Sequence, residues 1–378
     1  MTSGYINVDD NPYVRLANAG LKISAAIADL PPSGGIVDAR SLWGDQYIYS
    51  DIFNGVLKSF TLLLGAAKFH LSTQQTLSTN HTIRIEGIGC GGAAGINDKL
   101  GTVFIWDGIT GGTVLILDRI RDSIFNNFTI VRGTNPIGIA IQLDHLAVPF
   151  GVFISTANQF NNIGIGECVI GVQIGNQSVG NNDQHTFNNV LIYGPGNYGF
   201  YIHNYQSKWI GISNSFISQM SNGIWTDAGS FSTYRLQTSF CGVDYAINNT
   251  TDALSIIAHQ SESASKFFSL PSGTAASFPV TIQSCRVAVD RAGADFITYR
   301  AGGVFQMTGN DFCGGVHTTV PTMRFGNSIG CTVISEGNSY WRNDIWSAGT
   351  TLEQTRILTR GDIGIGPDGL PVKLDDLN

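Results

Sequence analysis

The sequence repeats one short pattern along most of its length, and this repeat constrains the fold more than any other feature. The pattern is a β-type run, a polar pair, a second run, a glycine turn and a third run. The clearest copies are SIFNNFTIVRGTNPIGIAIQ from 123, NQFNNIGIGECVIGVQIG from 158, HTFNNVLIYGPGNYGFYIH from 185 and IGISNSFISQMSNGIWTD from 210, and weaker copies continue to about 340. Asn162 and Asn189 are 27 residues apart, and Asn189 and Asn214 are 25 apart. Such periods are typical of stacked supersecondary units.

Three short strands and no helix per repeat predict one turn of a right-handed parallel β-helix, an all-β solenoid. A single turn cannot bury its inward side chains, so successive turns must stack on a shared core. The expected inward pairs are Ile139/Ile141, Val172/Ile174, Phe200/Ile202, Ile224/Thr226 and Tyr245/Ile247. The polar pairs at 126–127, 161–162, 188–189 and 213–214 should recur at one corner, because Asn tolerates left-handed backbone and stacked amides can hydrogen-bond.

Composition supports a large regular core and excludes several classes of function. Hydrophobic residues make up 43% of the chain and charged residues only 13%, which is not the profile of a disordered protein. A net charge of −7 argues against a nucleic-acid partner. The six scattered cysteines form no CxxC pair, so we expect them to be reduced and buried.

The ends of the chain differ from its middle. Residues 13–30 have helical periodicity and predict an amphipathic helix that caps the solenoid, since an open solenoid end needs cover. We therefore expect an N-terminal cap at 1–50, the β-helix at 51–346 and a C-terminal extension at 347–378. The first residues have no signal-peptide character and no stretch is long enough to span a membrane. The location stays open, and an extracellular or virion-associated one is compatible with these features.

The opening of the chain resembles a known superfamily. The helix is followed by IADLPPSGGIVDAR and then by LLLGAAKFHLSTQQTLSTNHTIRIEGIG. This succession is similar to the start of right-handed parallel β-helix proteins of the pectate-lyase-like superfamily, which includes phage tailspikes and polysaccharide-processing enzymes. The resemblance implies binding and cleavage of a polysaccharide by lyase, hydrolase or epimerase chemistry. No catalytic motif of pectate lyases or polygalacturonases is present, so the resemblance assigns no functional residue.

Aligning the glycine-led strands suggests a binding strip. The first outward position of successive turns reads Ala140, Gln173, Tyr201, Trp225 and Ala246. Two positions further on, His203 and Asp227 follow Tyr201 and Trp225. The alignment predicts an aromatic platform for sugar rings beside a His–Asp pair able to transfer protons. The alternative is an aromatic cross-strand ladder without a ligand.

Further candidates are single residues. Asp183 lies in the polar stretch GNNDQH and Glu262 in HQSES; each is either an acid catalyst or a turn or strand-end carboxylate. Arg235 and Lys208 are candidates for binding a sugar carboxylate. No His or Cys has the spacing of metal ligands, so we expect no cofactor, and calcium at Asp- and Asn-containing turns is a weak alternative.

Two functions remain open from the sequence. The first is an enzyme acting on a polysaccharide: Asp227 with Glu262 or Asp183 suits hydrolysis, and His203 with Arg235 or Lys208 suits elimination. The acidic net charge favours hydrolysis slightly. The second is a non-catalytic glycan-binding or structural protein of the tailspike or adhesin type. The chain is expected to be a monomer or a homotrimer, with no nucleic-acid or membrane partner.

Overall fold

The chain folds as a parallel β-solenoid of about ten turns with one short α-helix near its N-terminus, as seen in a computed structural model. The structure describes residues 4–78, 81–90, 101–144, 154–176, 181–271, 278–289, 295–314, 322–340, 352–365 and 371–373. The predicted fold class is confirmed. Two compact units, 1–207 and 208–378, are described separately below, and the predicted domain boundaries stay a prediction.

The first unit contains the helix and sixteen described strands. A 3₁₀ turn spans Tyr13–Arg15 and α1 spans Ala19–Asp29. The strands are β1 Tyr5–Asn7, β2 Gly35–Ala39, β3 Gly44–Ile48, β4 Phe60–Leu64, β5 Ala67–Leu71, β6 Gln75–Ser78, β7 Ile83–Glu86, β8 Thr102–Trp106, β9 Gly112–Asp118, β10 Ile124–Arg132, β11 Ile137–Asp144, β12 Ile154–Thr156, β13 Gln159–Gly166, β14 Cys168–Ile174, β15 Asn181–Asp183 and β16 Thr186–His203.

The second unit is built of strands alone in its described part. They are β17 Ile210–Ser213, β18 Phe216–Ala228, β19 Phe231–Tyr234, β20 Gln237–Ser239, β21 Val243–Ile247, β22 Leu254–Ile257, β23 Gln260–Ala264, β24 Lys266–Leu270, β25 Val280–Gln283, β26 Arg286–Val289, β27 Asp295–Tyr299, β28 Gly303–Thr308, β29 Asp311–Gly314, β30 Thr322–Glu336, β31 Ser339–Tyr340, β32 Leu352–Arg360, β33 Ile363–Ile365 and β34 Pro371–Lys373. Parallel stacking extends to β33, and β34 folds back antiparallel on it.

Three parallel faces form the first unit. Face A joins β1, β2, β4, β7 and the first parts of β10, β13 and β16. Face B joins β3, β5, β8 and the later parts of β10 and β13 with the middle of β16. Face C joins β6, β9, β11, β14 and the end of β16. Side chains alternate along every strand, so each face buries one row and turns the other outward.

An asparagine ladder fixes the corner between faces A and B. Asn127, Asn162 and Asn189 all have left-handed backbone, with φ of 62°, 55° and 54°. The Asn162 Nδ2 donates to Asn127 Oδ1 at 2.8 Å, and the Asn189 Nδ2 donates to Asn162 Oδ1 at 2.7 Å. Asn161 and Asn126 bond in the same way at 2.9 Å. The predicted structural role of these polar pairs is confirmed within this unit.

Stacked aromatic rings fill the interior behind this corner. Phe125, Phe160 and Phe187 are fully buried and lie almost parallel, with ring centroids 5.0 and 4.7 Å apart. Such offset stacks contribute about 0.5–1.5 kcal/mol per pair beyond the area they bury. The core therefore specifies the register in which successive turns stack.

The observed register corrects one step of the predicted alignment. Gln142, not Ala140, lies beside Gln173, which in turn pairs with Tyr201. The observed pairing of this strand with the next turn is offset by two positions from the predicted one, and Ala140 is fully buried. The inward pair of this turn is accordingly Ile141 and Leu143.

The helix is shorter than its periodicity predicted. Asn18 has extended backbone, which interrupts the helical run, and its side chain accepts a hydrogen bond from Leu21 N at 2.9 Å to start α1. Ile23, Ala26 and Ile27 are buried. After the helix the chain turns at Gly34, whose φ is +85° and where a Cβ atom would lie 2.0 Å from the Ser59 carbonyl oxygen, so only glycine fits.

The second unit also has three parallel faces. Face D joins β17, β19, β22, β25, β28, the end of β30 and β32. Face E joins the start of β18 to β20, β23, β26, β29, β31 and β33. Face F joins the end of β18 to β21, β24, β27 and the start of β30. Its predicted inward residues Ile224, Thr226, Tyr245 and Ile247 are all buried.

Buried asparagines stabilise one interior corner of the second unit. Asn310 Oδ1 accepts from Cys285 N, and Asn338 Oδ1 accepts from Asn310 N, both at 2.9 Å. Both side chains are almost fully buried, where an unsatisfied backbone amide would cost about 1–3 kcal/mol. The described cysteines are free thiols, four of them buried.

Candidate functional site

The clearest group of reactive side chains is a row of two carboxylates and one imidazole on the outer side of face B, here called the Asp–His–Asp cluster (Asp45, His70 and Asp107). His70 Nδ1 lies 2.7 Å from Asp107 Oδ2, and His70 Nε2 lies 3.2 Å from Asp45 Oδ1. One imidazole thus bridges two acids. The sequence analysis missed all three residues.

Strand stacking brings these residues together from separate turns. Asp45 lies on β3, His70 on β5, and Asp107 directly follows β8, and these are neighbouring strands of face B. Asp45 and His70 point outward because the alternate residues Ile48, Phe69 and Leu71 are buried in the core. The chain separations are 25 and 37 residues, and all three residues precede the clear copies of the repeat, which begin at 123, so an alignment on those copies did not include the cluster.

Asp107 is held more firmly than the other two side chains. Its Oδ1 accepts from Thr134 N at 2.9 Å and from the Thr134 hydroxyl at 3.1 Å, while Oδ2 faces His70. Partial burial raises the pKa of Asp107, but the bonds from Thr134 and His70 outweigh burial and keep the pKa below its ordinary value. Asp107 is therefore a fixed, ionised carboxylate that orients the imidazole.

The two acids differ in exposure and lie within reach of one ligand. The Asp45 side chain is 58% exposed and the Asp107 side chain 27% exposed. The oxygens that flank the ring are at most about 8 Å apart, since the two imidazole nitrogens are separated by about 2 Å. Carboxyl groups about 6.5–9.5 Å apart suit the attack of a water molecule in inverting glycoside hydrolysis.

Tyrosine rings border the cluster. Tyr47 stacks on His70, with centroids 4.9 Å apart and planes at 21°, and Tyr49 stacks on Tyr47 at 5.9 Å. Tyr47 is 46% exposed and Tyr49 62%. Trp43, just before β3, is 80% exposed. Aromatic surface beside hydrogen-bonding groups is the usual way in which a protein contacts an amphipathic ligand such as a sugar.

A narrow cleft lies at the corner after β8. It has a volume of about 130 Å³ and is lined by Thr73, Gln74, Trp106, Ile109 and Thr113 among others. Trp106 is buried and donates its indole N–H to the Ile109 carbonyl at 3.1 Å. Asp45, His70 and Asp107 are not part of its lining.

The predicted residues Tyr201 and His203 are in contact with each other. The Tyr201 hydroxyl and His203 Nδ1 are 2.8 Å apart, and Tyr198 stacks on Tyr201 with centroids 5.0 Å apart. Tyr201 and His203 are half-buried rather than fully exposed. Their proposed roles in binding and catalysis stay predictions.

Trp225 and Asp227 likewise form a pair in the second unit. The Trp225 indole N–H donates to Asp227 Oδ1 at 2.8 Å, and Asn248 Nδ2 donates to the same oxygen at 3.1 Å. Asp227 lies on face F, whereas Glu262 lies on face E, so these two carboxylates do not face one ligand. The predicted contact between His203 and Asp227 stays a prediction.

The remaining predicted residues are dispersed. Asp183 accepts the Thr156 hydroxyl at 2.5 Å, and Gln260 donates to Glu262 Oε1 at 2.7 Å. The Arg235 guanidinium lies over the Tyr234 ring at 5.1 Å. Lys208 precedes β17 and Arg235 follows β19, at opposite ends of this paired strand segment. These four residues do not form one site within their units.

No metal centre is evident in the described ranges. No three or more His, Cys, Asp or Glu side chains there are placed to hold an ion. Among the residues that the structure describes, none belongs to a helix with the length and apolar character needed to cross a membrane.

A comparison with solved structures shows the same architecture in a polysaccharide-cleaving enzyme. The chain is similar to the catalytic unit of a thermostable GH87 α-1,3-glucanase from Streptomyces thermodiastaticus strain HF3-3, with a TM-score of 0.57 and 12% identity. The alignment covers 99% of this chain and 71% of the glucanase unit. What they share is the fold. No protein-family model and no curated protein sequence matches the chain.

Proposed function

We propose that the protein binds a polysaccharide on face B and hydrolyses it at the Asp–His–Asp cluster. The observation that carries this proposal is the single imidazole of His70 bonded on one side to Asp45 and on the other to Asp107, on an outer face bordered by exposed tyrosines. The likeness of the fold to an α-1,3-glucanase catalytic unit supports the same class of substrate.

The cluster supplies both proton transfers that hydrolysis requires. Asp107, the ionised acid, takes a proton from a water molecule, whose oxygen bonds to the anomeric carbon. Asp45, the more exposed acid, donates its proton to the departing glycosidic oxygen as the carbon–oxygen bond breaks. His70 keeps the two carboxyl groups in place, and exchange with solvent then removes the proton from Asp107 and returns one to Asp45, which restores the starting state.

The surroundings favour hydrolysis over elimination. Elimination needs a base at the sugar C5 proton and cationic or hydrogen-bonding groups that stabilise the negative charge on a uronate. The cluster instead presents two carboxylates, which would repel an acidic sugar. Strand pairing places Lys68 in register with Asp45 and Arg132 in register with Trp106, the residue before Asp107. An uncharged glycan suits this face better.

The test compares matched variants on a panel of soluble and insoluble glycans. Asp107→Asn and Asp45→Asn are expected to reduce the release of reducing ends at least 100-fold, because each removes one of the two proton transfers. Asp311→Asn, at an exposed position of the second unit, serves as the matched control and is expected to retain activity. Circular dichroism melts would confirm that all three variants fold.

Two results would contradict the proposal. Reducing ends released at the wild-type rate by both Asp45→Asn and Asp107→Asn would remove the cluster from catalysis. Products absorbing near 235 nm would indicate elimination. A wild-type protein that binds glycans without releasing either product, and that sediments as a trimer, would instead support the non-catalytic tailspike-like alternative.

A further inference from the structure

A second cleft lies on the outer side of face A of the first unit. It has a volume of about 430 Å³ and is called here the face A cleft. Its floor is the outward row Ile36, Thr61, Arg84 and Ile124, which lie in register on four successive strands. Four strands at a spacing of about 4.8 Å span about 14 Å along the solenoid axis.

The lining combines hydroxyl groups with small apolar patches. Ser33, Ser59, Thr61 and Thr82 bring four hydroxyls to the cleft, each able to donate and accept a hydrogen bond. Ile36 and Ile124 contribute methyl surface at the two ends of the row. A volume of this size takes a small organic ligand. Alternating hydroxyls and methyl groups match the hydroxyls and C–H faces of sugar rings.

Arg84 is the charged residue of this lining, and hydrogen bonds to Glu86 fix the orientation of its side chain. Its Nε and Nη2 donate to Glu86 Oε2 at 3.2 and 2.9 Å. Asn126 and Asn127 donate to Glu86 as well, at 2.9 and 2.6 Å. Burial raises the pKa of Glu86, but these donors outweigh it and lower the pKa overall, so the carboxylate stays ionised. The asparagine ladder thereby anchors the ion pair.

The net charge of the Arg84–Glu86 pair determines which ligands the cleft favours. Glu86 neutralises Arg84, so the cleft has no surplus positive charge to attract an anion. The bonds to Glu86 occupy one edge of the planar guanidinium, and its other edge retains N–H donors. The Arg84 side chain is 50% exposed, which makes these donors accessible. They suit neutral hydroxyl oxygens.

We infer that the face A cleft is a second saccharide-binding site, which holds an uncharged segment of the polysaccharide along the solenoid axis without cleaving it. The identity of the ligand as a glycan rests on the proposed function, whereas the site itself is distinct from the Asp–His–Asp cluster on face B. Binding at both faces would keep the enzyme on a polymer between cleavage events.

The experiment fills the cleft and measures binding separately from hydrolysis. Thr61→Trp places an indole over the centre of the row, and Arg84→Gln removes the guanidinium. Thr281→Trp, at an outward half-buried position of face D, is the matched control. Affinity for the polymer is measured by affinity electrophoresis in an Asp107→Asn background, and hydrolysis of short oligosaccharides is measured without that substitution.

The expected result is a loss of polymer affinity of at least tenfold for Thr61→Trp and about fivefold for Arg84→Gln, with unchanged kcat on short oligosaccharides and unchanged affinity for the control. Polymer affinity retained by both cleft variants would overturn the inference even if hydrolysis at the cluster is established. Affinity lost in the cleft variants of a protein that hydrolyses nothing would uphold the inference and reject the proposed activity. A changed oligomeric state of Thr61→Trp would show that a second copy occupies the cleft, which also overturns it.

Discussion

Asp244 offers a direct test of the polar core of the second unit. Its carboxyl group is fully buried, and one of its oxygens accepts from the Ser261 hydroxyl. No hydrogen-bond partner is found for Oδ1. His259 Nε2 lies 3.9 Å from Oδ2 but is engaged by the Thr238 hydroxyl at 3.1 Å. Burial raises the pKa of Asp244 from 3.8 to about 7, because its effect exceeds that of the hydrogen bonds from Ser261 and Thr238, which lower the pKa.

The sign of the pH effect follows from this shift. The folded state binds a proton at Asp244 more tightly than the unfolded chain does, so stability falls as pH rises from about 4 to about 7. Above pH 7 the full cost applies, about 4 kcal/mol for a shift of this size. Burial lowers the pKa of His259 to about 3, which has the opposite effect: stability is lost as pH falls below about 6.5. Between about pH 4 and 6.5 the two effects oppose each other: as pH rises, the Asp244 effect lowers stability and the His259 effect raises it.

The substitution Asp244→Asn removes the pH dependence of stability that is due to Asp244 and leaves the one that is due to His259. Relative to wild type, the free energy of unfolding of the variant should rise from pH 4 to pH 8, by up to about 4 kcal/mol. A pH-independent offset for replacing a hydroxyl by an amide is expected to be about 1–3 kcal/mol. Denaturant unfolding at pH 4, 6 and 8, followed by tryptophan fluorescence, measures the difference.

The matched control is Asp311→Asn in the same unit. Asp311 is exposed and accepts the Ser339 hydroxyl at 2.8 Å, so its replacement should change stability little at any pH. A difference between Asp244→Asn and wild type that stays constant from pH 4 to pH 8 would refute the reasoning, because Asp244 would then be ionised or protonated equally in both states.

Three further predictions concern Asn162 of the asparagine ladder, Phe160 of the stacked core and Trp225 of the second unit. Asn162→Ala should destabilise the protein by about 2 kcal/mol and Asn162→Gly by less, because glycine keeps the left-handed backbone although both lose the amide ladder; denaturation midpoints measure this. Phe160→Ala should cost about 3–5 kcal/mol by opening a cavity between two stacked rings, and a smaller loss would mean that the neighbouring turns collapse into it. Trp225→Ala should weaken glycan binding with little change in melting temperature, whereas a large stability loss with unchanged binding would show that Trp225 serves packing.

The fold was predictable because its determinants are local and repeated. Left-handed asparagines at 127, 162 and 189 mark the same corner in successive turns, and each is visible as the second residue of a polar pair. Phe125, Phe160 and Phe187 recur two positions before those asparagines and form the buried stack. A pattern that recurs once per turn reports both the period and the direction of stacking.

The exact register was harder to predict, because the alternation of buried and exposed residues is the same for alignments that differ by two residues. The observed pairing places Gln142, where Ala140 was expected, beside Gln173. A one-residue slip would have reversed inward and outward positions, but a two-residue shift preserves them. The hydrophobic pattern therefore does not reveal the offset, which changes the predicted neighbours of this turn, whereas the predicted pairs Gln173–Tyr201 and Trp225–Ala246 are observed.

The Asp–His–Asp cluster could not be predicted from the sequence either. Asp45, His70 and Asp107 precede the clear copies of the repeat, and the spacings between them, 25 and 37 residues, differ from each other. Only the strand pairing of face B reveals that they are neighbours. Outward positions are free to vary without damage to the core, which is why such a site can be placed on the scaffold without altering the repeat.

The Asp–His–Asp cluster is expected to add little to the stability of the fold, and this favours a functional role. Exposed ion pairs contribute about 0–1 kcal/mol, and charged residues are only 13% of this chain. An outward row on a parallel sheet is equally well built of threonine and serine. If the cluster were structural, His70→Gln would lower the melting temperature and leave catalysis intact. The proposed role of His70 in holding Asp45 and Asp107 in place requires the reverse: a nearly unchanged melting temperature, with turnover reduced at least 100-fold, and glycan binding retained.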